Sequence, residues 1–165
     1  MGRRPTVIAV YSKYFVQLLI TCCYNHLKLT FDSKMNIPAI TSYLRQMLPD
    51  LLAIYAFGSQ IDGHAQPHSD LDLAVLVAGY ADPVSLFELA GDLEDIAGCP
   101  IDLLDLRAAS TVMQYRIITS GNCWWHKDSQ AALYEAAILS DKTELDSARA
   151  GLLGDIKDRG SVYGR

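Results

Sequence analysis

Residues 57–73 read Phe57-Gly58-Ser59-Gln60-Ile61-Asp62-Gly63-His64-Ala65-Gln66-Pro67-His68-Ser69-Asp70-Leu71-Asp72-Leu73, and the fold turns on how that stretch divides. Before it, residues 52–57 form an apolar run of strand length, ended by Gly58 and Ser59. After it, residues 70–77 (DLDLAVLV) read as a buried strand that opens on two acids. The polar residues 62–69 between them contain Gly63 and Pro67 and show no periodicity, which marks a loop. Side chains two apart on a strand share a face. Asp70 and Asp72 therefore project together, while Leu71, Leu73, Val75 and Val77 face a core. Two adjacent carboxylates repel each other and resist burial. A divalent cation resolves that conflict, and hard oxygen ligands on a rigid strand suit Mg²⁺ shared with substrate phosphates.

Outward from this stretch, helical and strand-like segments alternate. Residues 37–48 put Ile37, Ile40, Tyr43, Leu44, Met47 and Leu48 on one helical face, and Pro49 stops the helix. Pro83 opens a helix that runs to about Ala97, with Phe87, Leu89, Ala90, Leu93 and Ile96 as its apolar members, and Gly98 ends it. Residues 100–106 read as a third strand, 107–120 as a helix closed by Gly121, 122–126 as a short edge strand, and 129–155 as a long helix or helix pair. The expected class is α/β (α+β), a small mixed sheet flanked by helices.

The chain has 165 residues, half of them hydrophobic and a fifth charged, which suits one globular domain with a single core. A formal charge of −5 excludes a broad surface for duplex nucleic acid. Cys22, Cys23, Cys99 and Cys123 lack metal-ligand spacing and read as free thiols of a cytoplasmic chain. Residues 1–34 hold five basic side chains (Arg3, Arg4, Lys13, Lys28, Lys34) against one acid, Asp32, whereas the remainder is acidic. Residues 7–24 are mostly apolar, but Ser12, Lys13 and Gln17 interrupt them and no small-x-small cleavage site follows. Residues 1–34 are expected to be an extension rather than a membrane anchor, ahead of a domain at 35–165.

A third carboxylate on a neighbouring strand would complete a two-metal site. Asp102 and Asp105 both fit the third strand. They point to opposite faces, and Asp102 is the choice. Gly58 permits a tight turn and lets a phosphate approach the backbone, and Ser59 offers a hydroxyl and an N–H to it.

Phe57-Gly58-Ser59, Gly63, Ser69-Asp70-Leu71-Asp72-Leu73 and Ile101-Asp102-Leu103 together resemble the nucleotidyltransferase superfamily of DNA polymerase β, and most of all its minimal (MNT-type) members. The resemblance covers roughly residues 37–164. It implies a polymerase β palm-like fold, two Mg²⁺ ions and ATP as donor, with Asp70, Asp72 and Asp102 as metal ligands and Gly58, Ser59 and Gly63 around the nucleotide. It also implies an antitoxin paired with a HEPN ribonuclease toxin in a hetero-oligomer and adenylylation of a tyrosine on that toxin. In one respect the chain departs from the pattern. Ile61-Asp62 stand where members commonly carry Ala-Arg, so a phosphate contact is gone and a negative charge is added.

Several residues near these motifs have plainer readings. His64 and His68 are read as exposed loop histidines. Trp124 and Trp125 fit stacking on a base, and at least as well an apolar edge strand or partner surface; Arg116 is read as a solvated helix residue, with a phosphate contact as its alternative; Asp92, Glu94 and Asp95 are read as a solvent face. Two other functions remain open: a small-molecule adenylyltransferase of the aminoglycoside-modifying kind, and a fold that neutralises a partner by contact alone.

Overall fold

The computed structural model describes residues 35–64, 66 and 69–159. The proposed extension at 1–34, His68, Cys22, Cys23 and the ending 160–165 lie outside those residues. Helix α1 (Ile37–Met47) is followed by strands β1 (Leu51–Phe57) and β2 (Leu71–Val77), helix α2 (Pro83–Ala97) and strand β3 (Ile101–Asp105). A 3₁₀ turn (Leu106–Ala108), helix α3 (Thr111–Ser120), strand β4 (Asn122–His126) and helix α4 (Ser129–Arg159) complete the chain. The sheet order is β3-β2-β1-β4, with β1 antiparallel to both β2 and β4, and β2 parallel to β3. A small mixed sheet flanked by helices is thus what forms.

β1 and β2 are buried on both faces, which explains why each reads as a nearly continuous apolar run rather than an alternation. Leu71, Leu73, Val75 and Val77 join Ile40 and Leu44 of α1 and Leu86, Leu89 and Leu93 of α2 in one core. Tyr55, Phe57, Ala74 and Leu76 form a second core with Leu106, Ile117 of α3 and Ala131 of α4. The two faces of β2 therefore carry different loads, and Asp72 emerges on the second one.

Local chemistry sets the element ends. Asn36, Asp82 and Ser110 cap α1, α2 and α3 by accepting from the amides of Ala39, Ser85 and Met113. Pro sits in the first turn of α1 and α2. Gly98 closes α2 at φ 73°, a left-handed backbone that glycine adopts without strain.

Some expectations change. Met47 at the end of α1 is 46 % exposed, and Phe87 is 81 % exposed, so Leu86 rather than Phe87 joins Leu89 and Leu93 in the buried stripe of α2. Ser110 starts α3 at Thr111, and the segment 106–108 before it is a separate 3₁₀ turn. Residues 129–159 form one helix. Asp92 and Glu94 are not a bare solvent face: Tyr43 donates to Asp92 (2.6 Å) and the Ile101 amide to Glu94 (3.3 Å). None of the described helices is long and apolar enough to cross a membrane.

Candidate active site

The site lies where β1 ends and β2 and β3 begin. Register brings Phe57 opposite Asp72 across the antiparallel pair, and Asp72 beside Asp102 across the parallel one. Asp102 is exposed, Asp72 half-buried, and Asp70 exposed one residue ahead of β2. Burial, then the negative charges of Asp102 and Asp70, hold the Asp72 carboxyl above the usual carboxylate range. Asp72 thus feels both neighbouring acids.

Gly58 sits against them. Its φ is 76°, and a Cβ built there would lie 1.9 Å from Asp72 Oδ2 and 2.8 Å from its Cγ. Glycine is required twice over, for the backbone and for the carboxylate that fills the space. Gly63 shares φ 76° but has nothing within 4 Å of a built Cβ, so its need is conformational alone. Between them the chain makes a tight turn: the Gly58 carbonyl accepts from the amides of Ile61 and Asp62, and the Ser59 carbonyl from His64, each at 3.0 Å. These bonds do not use the amides of Ser59 and Gln60, which suits an anion at the turn.

Asp105, the competitor for third carboxylate, is 5 % exposed. Its Oδ2 accepts from the Ala81 amide (3.0 Å) and its Oδ1 from the Arg107 amide (2.9 Å). Those bonds tie β3 to the loop between β2 and α2 and cap the 3₁₀ turn. Trp124 and Trp125 pack against the first core, with Arg45 over the Trp125 ring at 4.9 Å. His64 is exposed.

Gln60 escaped the sequence reading, and Arg116 stands nearer the site than a solvated helix residue need. Gln60 Nε2 donates to the Ser69 carbonyl at 2.6 Å, clamping the two ends of the loop so that Asp70 returns to the turn. Arg116 reaches Asp62 from α3 at 4.0 Å. Gln60 leaves no mark in periodicity; a polar residue just inside a glycine turn was the only hint for it.

No group of three His, Cys, Asp or Glu side chains among the described residues encloses a metal by itself. The donor set still suits Mg²⁺, which is commonly held by one or two carboxylates with the remaining ligands from substrate phosphates and water. Such an ion would relieve the conflict at Asp72, whose carboxyl is raised by burial and then by the charges of Asp102 and Asp70.

Several known proteins are similar to this chain. The family described as polymerase beta, nucleotidyltransferase, matches residues 39–130. The protein adenylyltransferase MntA of Shewanella oneidensis is 33% identical over 123 residues, 74% of this chain and 88% of that protein. An aminoglycoside (3'')(9) adenylyltransferase of Klebsiella pneumoniae is 36% identical over 69 residues, 42% of this chain and 26% of that protein. A crystal structure of a toxin-antitoxin with AMP-PNP superposes with TM-score 0.68 at 33% identity, covering 74% of this chain and 99% of that one. The tri-AMPylated Shewanella oneidensis HEPN toxin in complex with MNT antitoxin gives TM-score 0.62 at 32% identity, over 74% of this chain and 96% of that one.

Proposed function

The chain belongs to the polymerase β nucleotidyltransferase family, and from that premise we propose that it transfers AMP from ATP to a hydroxyl of a HEPN ribonuclease toxin, acting as its antitoxin. The observation that carries this is the meeting of Asp70, Asp72 and Asp102 at the Gly58–Gly63 turn. A relative matched over 74% of this chain is a protein adenylyltransferase, and a neighbouring fold is seen with its AMPylated toxin. The catalytic domain spans residues 35–165, with residues 1–34 an extension outside it, and the pair acts in the cytoplasm as a hetero-oligomer.

Asp70, Asp72 and Asp102 would hold Mg²⁺ with the triphosphate, and the ions would supply charge neutralisation and a lower pKa for the attacking hydroxyl. Ser59 and the amides of its turn bind the departing phosphates. The acceptor oxygen forms a bond to the α-phosphorus as the bond from that phosphorus to the β-phosphate oxygen breaks, releasing pyrophosphate. Asp102, exposed at the start of β3, accepts the hydroxyl proton. A tyrosine acceptor, with an unperturbed pKa of about 10, needs less activation than a sugar hydroxyl. Catalysis is then mainly positioning and charge neutralisation.

The test is toxin neutralisation in cells by the Asp70→Asn variant. An enzyme loses its protective effect with that change. Full protection by a folded Asp70→Asn protein would instead establish neutralisation by contact alone.

A further inference from the structure

Between its glycines the turn carries Ser59, Gln60, Ile61 and Asp62, an acid and no base. A nucleoside triphosphate brings several negative charges to that place. α3 lies over the face of the sheet on which Asp72 emerges: Ile117 is fully buried with Phe57 and Ala74 in the second core. Gly121, just beyond the helix, abuts the Ala56 carbonyl, so a Cβ there would come within 2.9 Å of it. The residue before Ile117 is Arg116, and this packing holds it at the end of β1. Its Nη2 is 4.0 Å from Asp62 Oδ2. The Asp62 amide donates to the Gly58 carbonyl (3.0 Å), and Gly58 is the residue against which Asp72 lies. Guanidinium, turn and catalytic carboxylate are therefore contiguous. Three other cations are engaged elsewhere: Arg45 with Trp125, Arg107 with the Val77 carbonyl and Tyr134, and Lys142 with Asp146.

We propose that Arg116 binds the terminal phosphates of the nucleoside triphosphate, and that Asp62 holds it beside the turn until the nucleotide replaces that carboxylate as its partner. The proposal rests on the reading of this site as a nucleotidyltransferase centre. The pair is built for exchange. The Arg116 side chain is 71 % exposed and that of Asp62 36 %, and an exposed ion pair at that distance adds little to stability. Phosphate oxygens, in contrast, accept parallel N–H bonds from a guanidinium, a stronger and more directional contact. Arg116 thus supplies from a helix the cation that the turn itself lacks.

Calorimetric titration of the full chain with Mg²⁺ and either AMP-PNP or AMP tests this. Arg116→Ala weakens AMP-PNP binding about tenfold or more, as expected for loss of a charge-assisted contact, and leaves AMP binding as it was, because AMP has no terminal phosphates. Arg116→Lys recovers part of the loss, since an ammonium lacks the planar fork. Asp62→Ala tightens AMP-PNP binding severalfold, and that gain vanishes in Asp62→Ala/Arg116→Ala. Equal weakening of AMP-PNP and AMP, or unchanged AMP-PNP binding in Arg116→Ala, overturns the role of Arg116. A gain from Asp62→Ala that persists without Arg116 shows that Asp62 merely repels phosphate, and overturns the exchange. A wild-type chain that binds neither nucleotide refutes the nucleotidyltransferase reading itself.

Discussion

Gly58 and Gly63 offer a matched pair of substitutions that separates folding from chemistry. Both stand at φ 76°. A left-handed backbone costs an L-residue about 1–2 kcal/mol, so Gly58→Ala and Gly63→Ala share that backbone cost. Their surroundings differ. The new methyl at 63 meets nothing within 4 Å, whereas at 58 it falls 1.9 Å from Asp72 Oδ2. The carboxylate must retreat by about 1 Å or more, and a misplacement on that scale lowers a rate by roughly 100-fold. Urea denaturation should show Gly63→Ala less stable by about 1–2 kcal/mol. Gly58→Ala should show at least that loss. In an AMP-transfer assay on folded protein, Gly58→Ala should fall about 100-fold further than Gly63→Ala. Equal activities in the two variants would refute the claim that Gly58 exists to make room for Asp72.

Asp102 and Asp105 should separate in the opposite sense. Asp105→Ala leaves the part-buried amides of Ala81 and Arg107 without their acceptor and costs about 1 kcal/mol per group, while Asp102→Asn leaves stability near wild type and removes transfer; thermal melts beside activity would reveal a reversal. Glu135 is held above the usual range first by burial, against the pull of the Tyr55 hydrogen bond and His126. Its contribution to stability is fully present below the unfolded value of about 4.3 and is lost as pH rises through the folded value. Glu135→Gln keeps an acceptor for Tyr55, donating at 2.6 Å in the native protein, and should be more stable than wild type at pH 7 with a flatter profile between pH 4 and 7. A less stable Glu135→Gln at pH 7 would mean that the ionised hydrogen bond outweighs the burial.

The fold was largely readable because its strong signals are local. Pro83 and Gly98 punctuate α2 chemically, and β4 was read at its full length, 122–126. Phe87 misled because an apolar residue at helical spacing says nothing about what lies opposite it. The 3₁₀ turn before α3 depends on Asp105 accepting from Arg107, a contact of two residues that periodicity does not register. At the site, alternation on β2 put Asp70 and Asp72 on one face, and opposite parity kept Asp102 apart from Asp105. The parallel register that lays Asp102 beside Asp72 is a property of the assembled sheet. Likewise Arg116 reaches Asp62 across 54 positions of sequence only because Ile117 packs under α3.

Intact-mass measurement of the HEPN toxin after incubation with the chain, ATP and Mg²⁺ is the most direct test of the whole account. The toxin should gain the mass of one or more AMP groups, and gain nothing with Asp70→Asn/Asp72→Asn or in EDTA. An unmodified toxin whose ribonuclease is nevertheless silenced, or an adduct that persists in the double variant, would contradict it.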